Sequence, residues 1–162
     1  MHSSSLSFGS PYLYLHIFNT LKCSAMKSIG SVLAFTRERN AALLRAYRKE
    51  IAKVGSVHLS EIGERIVNSP SPRFWVSEER AAVVVSAIMK GKPILKTMRP
   101  TKREMFEEIY RRIVELKKAH PDWKLCQLAC AVVNSPAPKF YMEASSAIER
   151  LFKIRNGWYN KR

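Results

Sequence analysis

The chain has 162 residues, with 28 lysines and arginines against 13 acidic residues, and its formal net charge is +15. The 46% share of hydrophobic residues is sufficient for a packed core and argues against a globally disordered chain. No apolar run approaches the roughly 20 residues that cross a bilayer, so we expect a soluble protein with no membrane partner. A charge of this size favours polyanions, and nucleic acid is the first partner that it predicts.

Residues 1–25 differ from the rest of the chain, since they hold one basic residue, Lys22, and no acidic residue. A secretory signal peptide carries positive charge before its apolar stretch. Here the charge follows the stretch LYLHIFNTL, which polar residues interrupt. We therefore predict a flexible leader over residues 1–36 and no signal peptide or anchor. A mature chain that starts at Met26 is an open alternative.

Two segments of the chain align when the sequence is shifted by 66 positions. Residues 37–91 then match residues 103–157 without a gap, and VNSPSPRFW at 67–75 returns as VNSPAPKFY at 133–141. A gapless match of this kind indicates an internal duplication. The period is too long for the common helical solenoids, so we interpret each copy as a small domain. A unit of about 55 residues is close to the lower limit for independent folding, so packing between the copies is also open.

Apolar residues in each copy recur at the three- and four-residue spacing of an amphipathic helix. Helix breakers then stand at aligned positions, Gly55 and Pro121. Each is followed by a residue suited to an N-cap, Ser56 or Asp122. These signals predict the end of a long first helix and the start of a short second one in both copies.

A third helix is predicted after the shared loop in each copy. In the first copy it runs from about Ser77 to Lys90. Its counterpart ends at Asn156 and Gly157, a pair that suits a helix C-cap. No segment of the sequence reads as a strand, so the pattern predicts helices throughout.

Three short helices with a longer first one resemble, in architecture, the helix-turn-helix and homeodomain-like DNA-binding units, although no specific family is indicated. The connection at 68–76 is about nine residues long, whereas three or four are usual in that motif. We expect an all-α fold, a tandem duplication of a three-helix, helix-turn-helix-like unit joined by a short basic connector. After the leader, the predicted parts are repeat 1 (37–91), the connector (92–102), repeat 2 (103–157) and a basic, aromatic tail (158–162).

The repeated loop begins with an asparagine in each copy, Asn68 and Asn134. We expect both to end their helices in the left-handed conformation, which asparagine tolerates. Pro70 and Pro72 fix two φ angles and favour extended geometry in the residues before them. The loop is therefore predicted to be a stiff, non-helical segment.

The end of the loop keeps a basic residue, a phenylalanine and a second aromatic residue in both copies: Arg73, Phe74 and Trp75, then Lys139, Phe140 and Tyr141. The identical phenylalanines suit a core anchor. A basic residue beside an exposed ring can neutralise a phosphate and stack on a base or sugar. A loop that only completes the hydrophobic core is the alternative, and the sequence leaves both open.

The connector KPILKTMRPTK is the most densely basic segment, with four basic residues and no acidic one. Such a connector suits a protein that lays two units along one duplex, and a solvated linker is the alternative. The outward residues of the third helices differ between the two copies. If these helices enter a groove of DNA, the two copies would therefore read different base sequences. The predicted nucleic-acid contacts are Arg73, Trp75, Arg80, Lys92, Lys96, Arg99, Lys102, Lys139, Tyr141, Arg150 and Lys153.

The three cysteines are Cys23, Cys126 and Cys130. An odd and sparse set makes no disulfide framework and indicates a reducing, intracellular compartment. Cys126 and Cys130 have too few possible co-ligands for a metal site, so we interpret them as small core residues. No glycine-rich phosphate loop and no catalytic triad stands out. We expect no metal, no cofactor and no enzymatic activity.

Together these patterns predict a non-catalytic nucleic-acid-binding protein, with duplex DNA favoured over RNA. A regulator or an accessory factor of DNA recombination or packaging fits equally well. We expect a cytoplasmic location, associated with the nucleoid if the ligand is DNA. Two alternatives stay open: an RNA-binding accessory protein that contacts single strands, and a helical adaptor that binds an acidic protein partner.

Overall fold

The computed structural model describes residues 29–54 and 58–159. Apart from one isolated β-bridge, these residues form helices and connecting turns, and the predicted all-α class is confirmed for this part of the chain. A short 3-10 helix, Ile94–Thr97, precedes the fourth α-helix. The α-helices are α1 (Ile29–Lys53), α2 (Leu59–Val67), α3 (Glu78–Met89), α4 (Pro100–Ala119), α5 (Leu125–Val133) and α6 (Ala144–Arg155).

Helical structure extends into both the predicted leader and the connector. Helix α1 begins at Ile29, inside the predicted leader, while residues 1–28 lie outside the described residues. The connector holds the 3-10 helix, and Pro100 opens α4 at a position where its missing N–H costs nothing. Leu95 and Met98 pack against a hydrophobic core, which explains why the connector is folded rather than mobile. Gly55, Ser56 and the end of the tail, 160–162, fall outside the described residues.

The helix ends agree with the sequence in some places and differ in others. Ser77 is the N-cap of α3, as predicted, and its side chain accepts a hydrogen bond from the backbone N–H of Arg80 at 3.2 Å. Asp122 is not the N-cap of α5, which is Lys124. The reason lies in the preceding turn, where Lys117 Nζ donates to the carbonyls of Pro121 and Trp123 and so moves the helix start beyond Asp122.

Asn68 and Asn134 cap their helices in the right-handed conformation, with φ of −89° and −86°, so the prediction of left-handed caps was wrong. Each asparagine Nδ2 donates at 2.9 Å to the carbonyl four residues earlier, Glu64 or Cys130. This side-chain bond satisfies a terminal carbonyl without a positive φ. Among the described non-glycine residues only Tyr141 has a positive φ, at 52°.

Helices α1 to α6 are shared between two hydrophobic cores. One core is built by α3, α4 and α5, and the other by α1, α2 and α6. Helix α3 therefore packs on α5 and α4, while α6 packs on α2 and α1. The sequence led us to expect each copy to be a small domain of its own. In the structure, the helix that follows each proline-containing loop instead packs on the two helices that precede the other loop.

This exchange occurs where the two proline-containing loops cross. Ser71 and Ala137 exchange both backbone hydrogen bonds, each with an N–O distance of 2.9 Å. Positions 71 and 137 are 66 apart, so the bridge joins equivalent residues. Two further bonds flank it, from each loop phenylalanine to the last helical residue before the other loop: Phe74 to Val133 at 3.0 Å and Phe140 to Val67 at 2.9 Å. The crossing thus has a local twofold arrangement.

The adjacent aromatic residues of each loop enter different cores. Phe74 is fully buried in the α3–α4–α5 core, where the ring of Tyr141 stacks on it with a centroid distance of 5.8 Å. Phe140 is 3% exposed in the α1–α2–α6 core, against which Trp75 also packs. Both phenylalanines are therefore core anchors, as predicted. Each loop ties the two cores together by placing one ring in each.

Candidate nucleic-acid interface

Four of the predicted contact residues surround one open groove, between the end of the first loop, the start of α3, the connector and the start of α4. They are Trp75, Arg80, Arg99 and Lys102. The groove has a volume of about 390 Å³, and its lining also includes apolar side chains: Val76, Ile94, Met98, Met105 and Phe106. The structure thus brings together residues of the first loop, α3, the connector and α4. We call this feature the basic groove.

Packing of α3 on α4 creates the basic groove. Ala81, Val84 and Val85 are buried on one face of α3, which leaves Arg80 exposed in its first turn. Arg99 is the N-cap residue of α4, and its side chain makes no capping hydrogen bond. The first turn of α4 contains no acidic residue, so the positive end of the helix dipole is not neutralised there. The helix terminus and the side chains contribute positive potential at the same place.

The three cations of the basic groove form no ion pair with any carboxylate of residues 29–54 and 58–159. Other predicted cations are paired: Lys153 lies beside Glu149 on α6. Unpaired cations keep their hydration and remain available to an external anion. Arg80, Arg99 and Lys102 are also exposed, so a phosphate can reach them without a change in the fold.

Arg73 and Lys139, the basic residues of the repeated loop, are held by intramolecular contacts. Arg73 Nη1 lies 3.6 Å from Glu38 Oε2, and Lys139 pairs with Glu104, the residue equivalent to Glu38. The side chains are only 19% and 28% exposed. The Arg73 guanidinium also lies 5.9 Å from the centroid of the Trp75 ring. These contacts assign the two residues mainly to the fold, and they do not line the basic groove.

The second aromatic residue of each loop is half-buried. Trp75 Nε1 donates to Ser71 Oγ at 2.8 Å, and an edge of Phe35 contacts the indole ring at a centroid distance of 5.5 Å. Tyr141 packs in the α3–α4–α5 core and does not line the basic groove. Burial, and then the negative charge of Glu108, raises the pKa of Tyr141 to about 12. Intramolecular contacts therefore occupy both rings, which limits the faces available for base stacking.

The remaining predicted contacts lie outside the basic groove. Lys92 and Lys96 are exposed along the connector. Arg150 and Lys153 belong to α6 and so to the other core, where Arg150 Nη1 lies 3.4 Å from Tyr159 Oη. The eleven predicted residues therefore do not form one continuous surface around the groove.

The sequence analysis missed a second basic groove. Arg45, Lys49 and Lys53 line it together with loop residues 69–72, and its volume is about 430 Å³. Lys53 Nζ donates to Glu50 Oε1 at 2.7 Å, and this hydrogen bond lowers the pKa of Glu50. The signal in the sequence was the four-residue spacing of the three cations, which places them on one face of α1.

None of the helices that the structure describes is long and apolar enough to cross a bilayer. Within the same residues, no group of three or more histidine, cysteine, aspartate or glutamate side chains could hold a metal ion. Neither Cys126 nor Cys130 forms a disulfide bond with another described residue, and both side chains are half-buried. Comparisons of the chain with protein-family models, with curated proteins and with solved structures returned no match.

Proposed function

We propose that the protein binds nucleic acid without catalysis, through phosphate contacts made by the basic groove. The observation that carries this proposal is the gathering of Arg80, Arg99 and Lys102 around one groove, without an ion-pair partner in the described part of the chain. Guanidinium and ammonium groups donate charge-assisted hydrogen bonds to phosphate oxygens, which are the contacts that position a protein on a nucleic-acid backbone. The net charge of +15 adds a long-range attraction for the same ligand.

Duplex DNA is the favoured ligand over single-stranded RNA. Proteins that hold single strands offer free aromatic faces for stacking, and each stacked base contributes about 1–3 kcal/mol. Trp75 is half-buried, bonded to Ser71 and covered by Phe35 and Arg73, so it is poorly placed to stack. Binding that depends on phosphates rather than on stacking suits a duplex.

The proposed arrangement of the binding units is helix-turn-helix-like, with the helices exchanged between the two copies of an internal duplication. In this arrangement α6 is the third helix beside α2, and α3 is the third helix beside α5. These two helix pairs make the most extensive helix contacts in the described part of the chain. Local twofold pairing of the crossing loops supports the duplication. A regulator or an accessory factor of DNA recombination or packaging would use two such units on one duplex.

A salt titration with the full chain and a labelled duplex of about 30 base pairs tests the proposal. We expect the logarithm of the binding constant to fall linearly with the logarithm of the salt concentration, with a slope of several units. A variant with Arg80, Arg99 and Lys102 changed to Ala should bind at least about tenfold more weakly, with a slope smaller by about 2–3.

The matched control changes three exposed cations elsewhere, Arg48, Lys118 and Arg155, to Ala. Its net charge equals that of the groove variant, so any difference between the two reports position rather than total charge. Equal losses in both variants would remove the basic groove from the proposal. Stronger displacement by single-stranded RNA than by duplex would favour an RNA ligand. Absence of binding at about 50 mM salt would favour an acidic protein partner.

A further inference from the structure

Two positions at a helix contact are apolar in one core and basic at the equivalent places in the other. In the α3–α4–α5 core, Val84 is fully buried and Met105 is 7% exposed. Residues 66 positions away occupy the corresponding places on α6 and α1, and both are arginines, Arg150 and Arg39. A contact between helices that is apolar in one unit therefore carries two guanidinium groups in the other.

Neither arginine has a carboxylate partner among the described residues. The Nε of Arg39 is buried and has no hydrogen-bond acceptor. Arg150 Nη1 donates to the hydroxyl of Tyr159 at 3.4 Å. Burial, and then the positive charge of Arg150, lowers the pKa of Arg39. Two half-buried cations with unused donors thus lie on helices that pack against each other, α1 and α6.

This arrangement is unfavourable when it is empty, because like charges repel and a buried N–H without an acceptor loses its hydrogen bond to water. An oxyanion removes both costs, since it accepts from Nε and from the outer nitrogens and neutralises the charge. Tyr159 supplies a further donor at the same place. We propose that Arg39, Arg150 and Tyr159 form a binding site for one phosphate-type oxyanion beside α1 and α6.

Such an oxyanion has two possible sources, free phosphate or a phosphodiester of bound nucleic acid. Thermal unfolding of the full chain in sodium phosphate, compared with sodium chloride at equal ionic strength, detects the site itself. A ligand that binds only the folded state raises the Tm, and the rise grows with concentration. We expect phosphate to raise the Tm by about 3 °C or more beyond chloride.

Two substitutions install the residues of the apolar unit, Arg39→Met and Arg150→Val. Each should abolish the phosphate increment, which is the rise in Tm in phosphate beyond that in chloride. Arg39→Lys keeps the charge and removes the Nε donor, so it serves as a second, milder variant and should weaken phosphate binding at least fivefold. Arg48→Met, on an exposed face of α1, should leave the increment unchanged. An increment absent from the unaltered chain, or equal in all the variants, overturns the proposal.

Binding to duplex DNA distinguishes the two possible sources of the oxyanion, free phosphate and a phosphodiester. If Arg39→Met also weakens duplex binding at least about fivefold, the oxyanion is a phosphodiester. If duplex affinity is unchanged while the phosphate increment is lost, the ligand is free phosphate. The groove variant of Arg80, Arg99 and Lys102 should keep the phosphate increment, so this site and the nucleic-acid proposal can fail independently.

Discussion

Ser71 and Ala137 donate to each other's carbonyls with N–O distances of 2.9 Å, and 66 positions separate them. This bridge marks the point at which the chain passes from one hydrophobic core to the other and back. Pro70 and Pro72 keep the first loop extended, so it does not turn back toward α2 in the manner of a short helix-turn-helix connection. The repeated loop motif is explained by this crossing.

The exchange predicts that neither half of the chain folds as a monomer. Residues 1–91 contain α1, α2 and α3, and residues 92–162 contain α4, α5 and α6, so each half lacks the third helix that its own core uses. We expect the separate halves to be largely unfolded alone at low concentration and to regain helix when mixed. Circular dichroism at 222 nm measures the helix content, and size-exclusion chromatography measures the association of the two halves.

The concentration dependence of the same samples is the control. Because α3 and α6 are equivalent, a half could also fold by pairing with a second copy of itself, and its helix content would then rise with concentration. A half that is monomeric and fully helical at every concentration would contradict the exchange.

The loop phenylalanines should be among the most sensitive positions of the fold. Phe74 is fully buried and Phe140 is 3% exposed, so Phe74→Ala or Phe140→Ala should lower the free energy of unfolding by about 3–5 kcal/mol. Phe152→Ala is the matched control, since its side chain is 55% exposed and should cost less than about 1 kcal/mol. Urea denaturation measures the free energy of unfolding of the three variants. Similar midpoints would mean that the loops do not anchor the cores.

Gly63 lies where α2 and α6 approach each other closely. A Cβ at this position would be 2.7 Å from Ile148 Cδ1 and 3.3 Å from Ala144 Cβ. We therefore expect Gly63→Ala to destabilise by about 1 kcal/mol, although alanine is the better helix former. The clash outweighs propensity because Ile148 would have to move aside while the backbone of α6 holds the Cβ of Ala144 in place.

The equivalent position in the other core suggests the compensating change. There Ala129 takes the place of Gly63, and Ala82 takes that of Ile148. Adding Ile148→Ala to Gly63→Ala should recover stability lost to the clash, so the two changes should show a favourable coupling in a double-mutant cycle. Independent, additive effects of the two substitutions would show that the side chains do not compete for space.

The basic residues of the repeated loop should affect stability more than affinity. Arg73→Ala removes the contact with Glu38 and the contact with the Trp75 ring, and should cost about 1 kcal/mol of stability. Its effect on duplex binding should stay within about twofold, whereas Arg80→Ala should reduce affinity by more. A large loss of affinity in Arg73→Ala with an unchanged Tm would place the loop in the interface instead.

Local signals predicted the helices, because apolar spacing, caps and breakers depend on residues close in sequence. They could not predict the exchange, since α3 and α6 present similar apolar faces and either could pack on α2. The same limit applies to the candidate site. Charge alone singled out Arg80, Arg99 and Lys102, but their gathering around one groove depends on how α3 packs on α4, which is a tertiary contact.

Glu108 links α4 to the crossing loops and should make stability depend on pH. Its carboxylate accepts from Arg111 and Arg112, and Arg112 Nη1 in turn donates to the carbonyl of Pro136 at 2.7 Å. The hydrogen bond from Arg111, and then the contacts with Arg112, hold the pKa of Glu108 below its usual range. A carboxyl group with a lowered pKa in the folded state stabilises the fold above its unfolded pKa, about 4.3.

That stabilisation is lost as the pH falls through the lowered pKa of the folded state. Glu108→Gln should therefore cost about 1 kcal/mol at pH 7, and the difference from the unaltered chain should shrink as the pH is lowered toward about 3. Urea titrations at several pH values measure it. Glu115→Gln, at a more exposed carboxylate that also pairs with Arg111, is the control and should show a smaller effect. A difference that stays constant with pH would mean that the glutamine disturbs packing rather than removing a charge.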